Sequence, residues 1–441
     1  MKVIRCNGLY ILLVAALLLA VSMPGYAAPR RVSSHVAVRA RPSAKRMVPS
    51  RVTRGRAATR TGRNLKSARA VAPTRGRRGS RAAAEPVVST RLVRGRHGRL
   101  IRVAVPTGRA DAVHIHAERF YVSSFADNLT TGDVIAGEDP TVRAAAIDAL
   151  GGMNGTALAI DPSTGRILAM VNQKLALSSG AEPCSTIKLT VALAALQEGL
   201  VKRDTPVSLG GNYRVTLTDA LARSNNLYFE TLGRALGFER VKHYANQLGL
   251  GELAGYNIPG EQLGTYPDQE LPLAMGGVGR MCSFGESISM TPLQLGAIVS
   301  AIANGGTLYY LQHPLTTDEV TNFQPRIKRQ LDIAPLLPEM TDGMHGAVTY
   351  GTARSLKTNF TEFPVFGKTG TCSNNGTRFG WFGSYADTPN GRIVTVIFLE
   401  GGRPTFGPKA AELTGEFYRS LYDRNYFTPK AIASANSVGM Q

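Results

Sequence analysis

Two apolar runs, 156–160 and 166–171, are separated by Asp161-Pro162-Ser163-Thr164-Gly165. Proline and glycine at those places make a tight turn, so the pair predicts a β-hairpin. The pattern then changes period. Over 185–200, Ile187, Val191, Leu193, Ala194 and Leu196 give one apolar face at helical spacing. A second helical pattern covers 217–236, with the polar Ser224-Asn225-Asn226 inside it. Helices are also expected over 238–248 and 292–304, the latter ended by Gly305-Gly306. Three strand-like runs follow, 363–371, 380–385 and 393–399, with a turn over 387–391, and an amphipathic helix over 409–422 closes the pattern. Strands at both ends with helices between them predict one α+β domain whose sheet is completed late in the chain.

The N-terminal quarter reads differently. Met1, Lys2 and Arg5 precede an apolar run over 9–21, and small residues follow at Gly25, Ala27 and Ala28. This is the pattern of a signal peptide over 1–28. The alternative is an uncleaved anchor, because a slightly extended run spans a bilayer with some thinning. Either reading places the remainder outside the cytoplasm, periplasmic or secreted.

Charge changes the picture only once it is located. The chain carries a net charge of +20, yet residues 29–110 hold 23 Arg or Lys against one acid, Glu85. Residues 111–441 hold 26 basic and 30 acidic residues and are close to neutral. The stretch 29–112 is rich in Arg, Ala, Pro and Gly and has no Phe, Trp or Tyr, so it is expected to be a disordered tail. Its charge suits anionic membrane lipids or acidic wall polymers; a plain tether is the bland alternative. Export and the missing aromatics argue against nucleic acid. The folded domain is expected over 113–425, with a flexible end over 426–441.

Three short motifs carry the candidate chemistry: Ser185-Thr186-Ile187-Lys188, Ser224-Asn225-Asn226 and Lys368-Thr369-Gly370. Alone each is weak, since average composition gives about one or two Ser-x-x-Lys in a chain this long. Ser-x-Asn also recurs at Ser373 and Ser434, the first of which reads as a strand-end turn. Their combination has a physical logic. A serine hydroxyl needs a base within hydrogen-bond reach, and one helical turn puts Lys188 on the face of Ser185. Burial beside a second cation, for which Lys368 is the candidate, lowers the lysine pKa and frees the amine to accept a proton. Ser224 is placed to relay that proton, Asn226 to hold a substrate amide, and Gly370 to let a substrate backbone lie along its strand. His114 and His116 read as loop residues; no cluster points to a metal, and no cofactor is expected.

These motifs resemble those of penicillin-binding proteins and serine β-lactamases. The resemblance extends to the 161–169 hairpin, Ile258-Pro259-Gly260-Glu261, Thr291-Pro292-Leu293-Gln294-Leu295, Ala303-Asn304-Gly305-Gly306 and Gly351-Thr352-Ala353, and so covers roughly 150–425. It implies an antiparallel sheet flanked by helices, with an all-helical lobe. It also implies Ser185 as acylated nucleophile, Lys188 as general base and Ser224 as proton shuttle. Asn226, Lys368, Thr369, Gly370 and Thr371 become substrate-binding residues, and the backbone N–H groups of Ser185 and Thr371 the oxyanion hole. The implied substrates are D-Ala-D-Ala stem peptides of peptidoglycan, with β-lactams as covalent inhibitors. The implied activity is a D,D-transpeptidase; a D,D-carboxypeptidase, a β-lactamase and a penicillin-recognising sensor or wall-binding protein stay open.

Four departures stand out. Cys184 occupies a position where glycine is usual, and only 39 positions separate Ser185 from Ser224. No recognisable pedestal domain precedes the motifs, and no Glu-x-x-x-Asn stands between the second and third. Cys184 and Cys372 each adjoin a residue of the implied oxyanion hole. A disulfide among Cys184, Cys372 and Cys282 is therefore one expectation, and three buried thiols the other.

Overall fold

The computed structural model describes residues 89–94, 100–105 and 119–428. They fall into two units, residues 1–108 and 109–441. The expected signal segment over 1–28 and most of the basic stretch lie outside the described residues. Within that stretch, β1 (Ser89–Arg94) and β2 (Leu100–Val105) pair antiparallel, Ser89 opposite Val105. This differs from the expected structureless tail. The runs Leu92-Val93 and Ile101-Arg102-Val103 bring β-branched residues to an otherwise Arg- and Gly-rich segment.

The second unit is built on a five-stranded antiparallel sheet. After α1 (Pro140–Leu150) come β3 (Gly155–Asp161) and β4 (Arg166–Val171), the expected hairpin. The chain then leaves the sheet for a helical lobe: α2 (Lys188–Gln197), α3 (Leu217–Ala222), α4 (Asn226–Leu236), α5 (Phe238–Gln247) and α6 (Gly277–Phe284). It returns through α7 (Pro292–Asn304) and α8 (Leu337–Thr349) to β5 (Val365–Asn374), β6 (Thr377–Thr388) and β7 (Gly391–Gly401). α9 (Gly407–Asp423) closes the unit. The spatial order β4-β3-β7-β6-β5 shows why the sheet is completed late: β7 inserts beside β3, and β5 becomes an edge.

Both faces of this sheet are covered, which is why its strands read as apolar runs without clean alternation. Leu158, Ile160, Val394, Val396 and Phe398 face the core shared with α7 and the helical lobe. Ala157, Ala159, Ile393, Ile397 and Leu399 face α1 and α9. α7 begins with a reciprocal cap between Thr291 and Gln294, has Pro292 in its first turn, and stops at Gly305 with φ +93°.

The domain runs past the boundary expected at 425. Phe427 is buried and packs edge-on to Phe363, with ring centroids 5.2 Å apart, because its aromatic ring finishes the layer under α9. Residues 429–441 lie outside the described residues. The expected single helix over 217–236 is two helices, and that break shapes the site.

Candidate active site

Ser185 sits on a 3₁₀ turn, Cys184–Ile187, that leads directly into α2. Lys188 opens α2 three residues later, and its Nζ lies 2.7 Å from Ser185 Oγ. The spacing read from the sequence thus brings the two groups into contact.

The second motif reaches the same point through the break between α3 and α4. α3 ends in a Schellman turn: Asn225 N–H donates to the Ala220 carbonyl at 2.9 Å, and Ser224 N–H to the Leu221 carbonyl at 3.3 Å. The residue in the left-handed position of such a turn is usually glycine; here it is Ser224, at φ +57°. The backbone is strained by about 1 kcal/mol to hold a hydroxyl where glycine would fit more easily. Asn225 then caps α4, its Oδ1 accepting from Tyr228 N–H at 2.9 Å. That leaves Asn226 in the first turn, where its Oδ1 accepts from Lys188 Nζ at 2.6 Å. Capping therefore falls to Asn225, and Asn226 faces Lys188.

Lys368 arrives from β5. Its Nζ donates to Ser224 Oγ at 2.8 Å and to the Thr369 carbonyl at 3.0 Å. Ser224 Oγ is also 3.1 Å from Lys188 Nζ, so one hydroxyl lies between two amines. Both lysines are fully buried. Burial pushes Lys188 well below the usual lysine pKa, the adjacent Lys368 charge lowers it further, and Glu230 opposes both. Burial brings Lys368 down to about 7. A neutral Lys188 has two N–H donors and one lone pair. Asn226 Oδ1 and the Ser224 carbonyl, 3.2 Å away, can only accept, so they take the two donors and leave the lone pair facing two hydroxyls, Ser185 Oγ at 2.7 Å and Ser224 Oγ at 3.1 Å.

The rest of β5 sits against the Ser185 turn. A Cβ on Gly370 would lie 2.8 Å from the Pro183 carbonyl oxygen, so glycine here serves close packing of protein on protein. The space expected to admit a substrate backbone is taken by the turn. Thr369 Oγ1 is 2.6 Å from Thr352 Oγ1, and Thr371 Oγ1 accepts from Gly407 N–H at 2.8 Å. Cys184 and Cys372 form a disulfide with Cα atoms 5.5 Å apart, which places the neighbours of Ser185 and Thr371 side by side. Cys282 is the free, buried cysteine among the described residues.

Several participants were not singled out from sequence. Thr352 is the member of Gly351-Thr352-Ala353 that reaches the site. Trp381, the one tryptophan in the chain, donates from Nε1 to the Glu182 carbonyl at 3.0 Å and so pins the segment before Ser185. Phe229 lies under Lys188, with Nζ 5.6 Å from the ring centroid. No short-range pattern points to either aromatic. The other landmarks are braces. Glu261 accepts the N–H groups of Ala254 and Gly255, and Asn304 donates to the Pro162 carbonyl at 2.8 Å. Ser373-Asn374-Asn375 is the end of β5 and its turn, with Asn375 at φ +48°. A cavity of about 1000 Å³ lies at the far ends of β3, β6 and β7, beside Asp161, Arg392 and Tyr426, and holds neither Ser185 nor the two lysines.

Residues 155–421 match the family model described as penicillin binding protein transpeptidase domain. The chain is 28% identical over 317 residues to stage V sporulation protein D of Bacillus subtilis, covering 60% of this chain and 48% of that protein. It is 23% identical over 291 residues to peptidoglycan D,D-transpeptidase FtsI of Escherichia coli, covering 58% and 46%. The chain thus spans about half the length of the curated relatives it matches. In fold it is similar to the TP domain of Burkholderia pseudomallei penicillin-binding protein 3, with a TM-score of 0.56 at 21% identity over 67% of this chain and 98% of the other. With the family model spanning more than half of its length, the chain belongs to the penicillin-binding protein transpeptidase domain family.

Proposed function

We propose that this chain is a serine acyl-transferase of the D,D-transpeptidase type, acting on D-Ala-D-Ala stem peptides of peptidoglycan and acylated by β-lactams. The observation that carries the reading is the 2.7 Å contact between Ser185 Oγ and a fully buried Lys188 that shares Ser224 with a second buried lysine. Ser185 Oγ attacks the carbonyl carbon between the two D-alanines and its proton passes to Lys188 Nζ. The displaced π pair becomes an oxyanion, held by the backbone N–H groups of Ser185 and Thr371. Collapse breaks the C–N bond, and the terminal D-alanine leaves as an amine after receiving the proton through Ser224. An acceptor amine then attacks the ester carbonyl, the new amide C–N bond forms as the C–O bond to Ser185 breaks, and the amine's proton passes through Lys188 to Ser185 Oγ. Asn226 holds a substrate amide, and Thr369 and Thr371, with the Lys368 charge behind them, receive the substrate carboxylate.

Members of this family act outside the cytoplasm. We assign this chain to the same side on the export pattern over 1–28, and the basic stretch 29–112 to anionic lipids or wall polymers on its charge. No helix among the described residues is long and apolar enough to cross a membrane.

The test is labelling of the full chain with a fluorescent penicillin beside Ser185→Ala. A stable label that the variant loses is expected. Equal labelling of both proteins would remove Ser185 from the mechanism. Rapid antibiotic turnover in place of a stable label would favour a β-lactamase.

A further inference from the structure

The disulfide joins the two halves of the oxyanion frame. Cys184 immediately precedes Ser185, and Cys372 immediately follows Thr371. Cys184 is fully buried at φ +51°, a left-handed conformation that residues other than glycine rarely hold unaided. Its partner lies on β5, an edge strand hydrogen-bonded to β6 on one side only. The side-chain hydrogen bonds at Thr369 and Thr371 run to Thr352 and Gly407, on segments that do not carry the nucleophile. Trp381 reaches the nucleophile segment at Glu182, before the left-handed residue. The cystine is the covalent tie between the turn that aims Ser185 and the strand that presents Thr371.

Resting on the acyl-transfer reading above, we propose that Cys184 and Cys372 are positioning residues: their disulfide fixes the spacing of the Ser185 and Thr371 N–H groups, so the oxidised chain acylates faster than the reduced one. Oxyanion donors act only when placed where charge develops, so a loosened frame lowers the rate of the chemical step more than the affinity for the ligand. Cys282 has no part in this. It is buried between α4 and α6, against Gly233.

The experiment measures the first-order acylation constant and the apparent affinity for a fluorescent penicillin, using the full chain in three states: oxidised, reduced with a dithiol, and reoxidised. Reduction transfers two electrons and two protons from the dithiol to the cystine, leaving two thiols and the cyclic disulfide of the reductant. The acylation constant is expected to fall roughly 10- to 100-fold on reduction, with affinity changed less than about threefold. Reoxidation restores it, and Cys282→Ala behaves as the parent chain in every state. Cys184→Ser/Cys372→Ser is slow in both redox states. Cys184→Gly/Cys372→Ser recovers part of the rate, because glycine adopts the left-handed conformation without a tie. If the serine variants do not fold, the parent chain alone decides, with circular dichroism recorded in each state. Equal acylation constants in the oxidised and reduced chain, or a loss confined to affinity, would overturn the proposal. An oxidised chain that takes no label overturns the acyl-transfer reading itself and this inference with it.

Discussion

Two buried polar clusters in this domain use opposite electrostatics. Behind β4, Arg143 is paired with Asp133 at 2.7 Å and Glu138 at 2.8 Å, and Glu138 also meets His313 at 3.0 Å. Burial works against the Arg143 charge, and the two carboxylates more than restore it, so its pKa is raised. At the other cluster Lys188 and Lys368 are just as buried, yet both hydrogen-bond only to neutral oxygens, and both pKa values fall. The difference separates structure from chemistry. A buried charge with its counter-charge is inert and braces the fold. Two buried like charges sharing a hydroxyl leave one amine able to accept a proton, at a cost in stability.

Breaking each cluster should therefore give opposite results, and the largest effect belongs to the lysines. Lys188→Met is expected to slow acylation by about 10³-fold, within the range of general-base losses, with the melting temperature unchanged or raised. Penicillin acylation and thermal melts of the same preparation check this. A slow variant that is also unstable would place Lys188 with the braces.

Arg143→Ala should do the reverse. It strands Asp133 and Glu138 without their partner and is expected to cost about 3–5 kcal/mol by urea unfolding. Acylation by the folded fraction should stay at the parent rate.

Lys368→Met sharpens the comparison because it moves both quantities. The unfolded lysine titrates near 10.5 and the folded one at about 7, so the unfolded chain binds more protons between those values. Stability then rises with pH across that window. Methionine is expected to stabilise the fold on the order of 3 kcal/mol at pH 7, a gain that shrinks toward pH 10. Acylation drops in the same variant. The pH profile adds a sign. In the proposed mechanism Lys188 acts neutral, so acylation is expected to fall as pH drops through its lowered pKa. Removing the neighbouring cation in Lys368→Gln lets Lys188 protonate at higher pH, and the acid limb should move upward. A limb that stays in place would mean the two lysines do not sense one another.

The smallest effect is at the rim. Thr352→Val removes the hydrogen bond to Thr369 and is expected to weaken binding of a carboxylate-bearing penicillin by about 1 kcal/mol, with the acylation constant unchanged.

What the sequence made legible follows from how local the determinants are. The 155–171 hairpin, α7 and the Ser185–Lys188 pair rest on turns, caps and one helical repeat, and all are where the pattern puts them. The break at Ser224 was not legible, because its Schellman turn has serine where glycine is the usual signal. α8 escaped for the opposite reason. Its Gly343 and Gly346 dilute the helical pattern, yet Cβ atoms there would sit 2.8 Å from Leu221 Cβ and 3.0 Å from Ala222 Cβ, so the glycines exist to let α8 press against α3. The disulfide was one of two open expectations, since only the approach of β5 to the Ser185 turn decides it. Trp381 and Phe229 act through tertiary contact alone, and no spacing rule reaches them.

The most direct test of the account is site mapping by mass spectrometry after penicillin treatment of the parent chain and Lys188→Met. One adduct is expected in the parent chain, on the peptide containing Ser185, and almost none in Lys188→Met over the same interval. An adduct on another serine, or equal modification of Ser185 without Lys188, would contradict it.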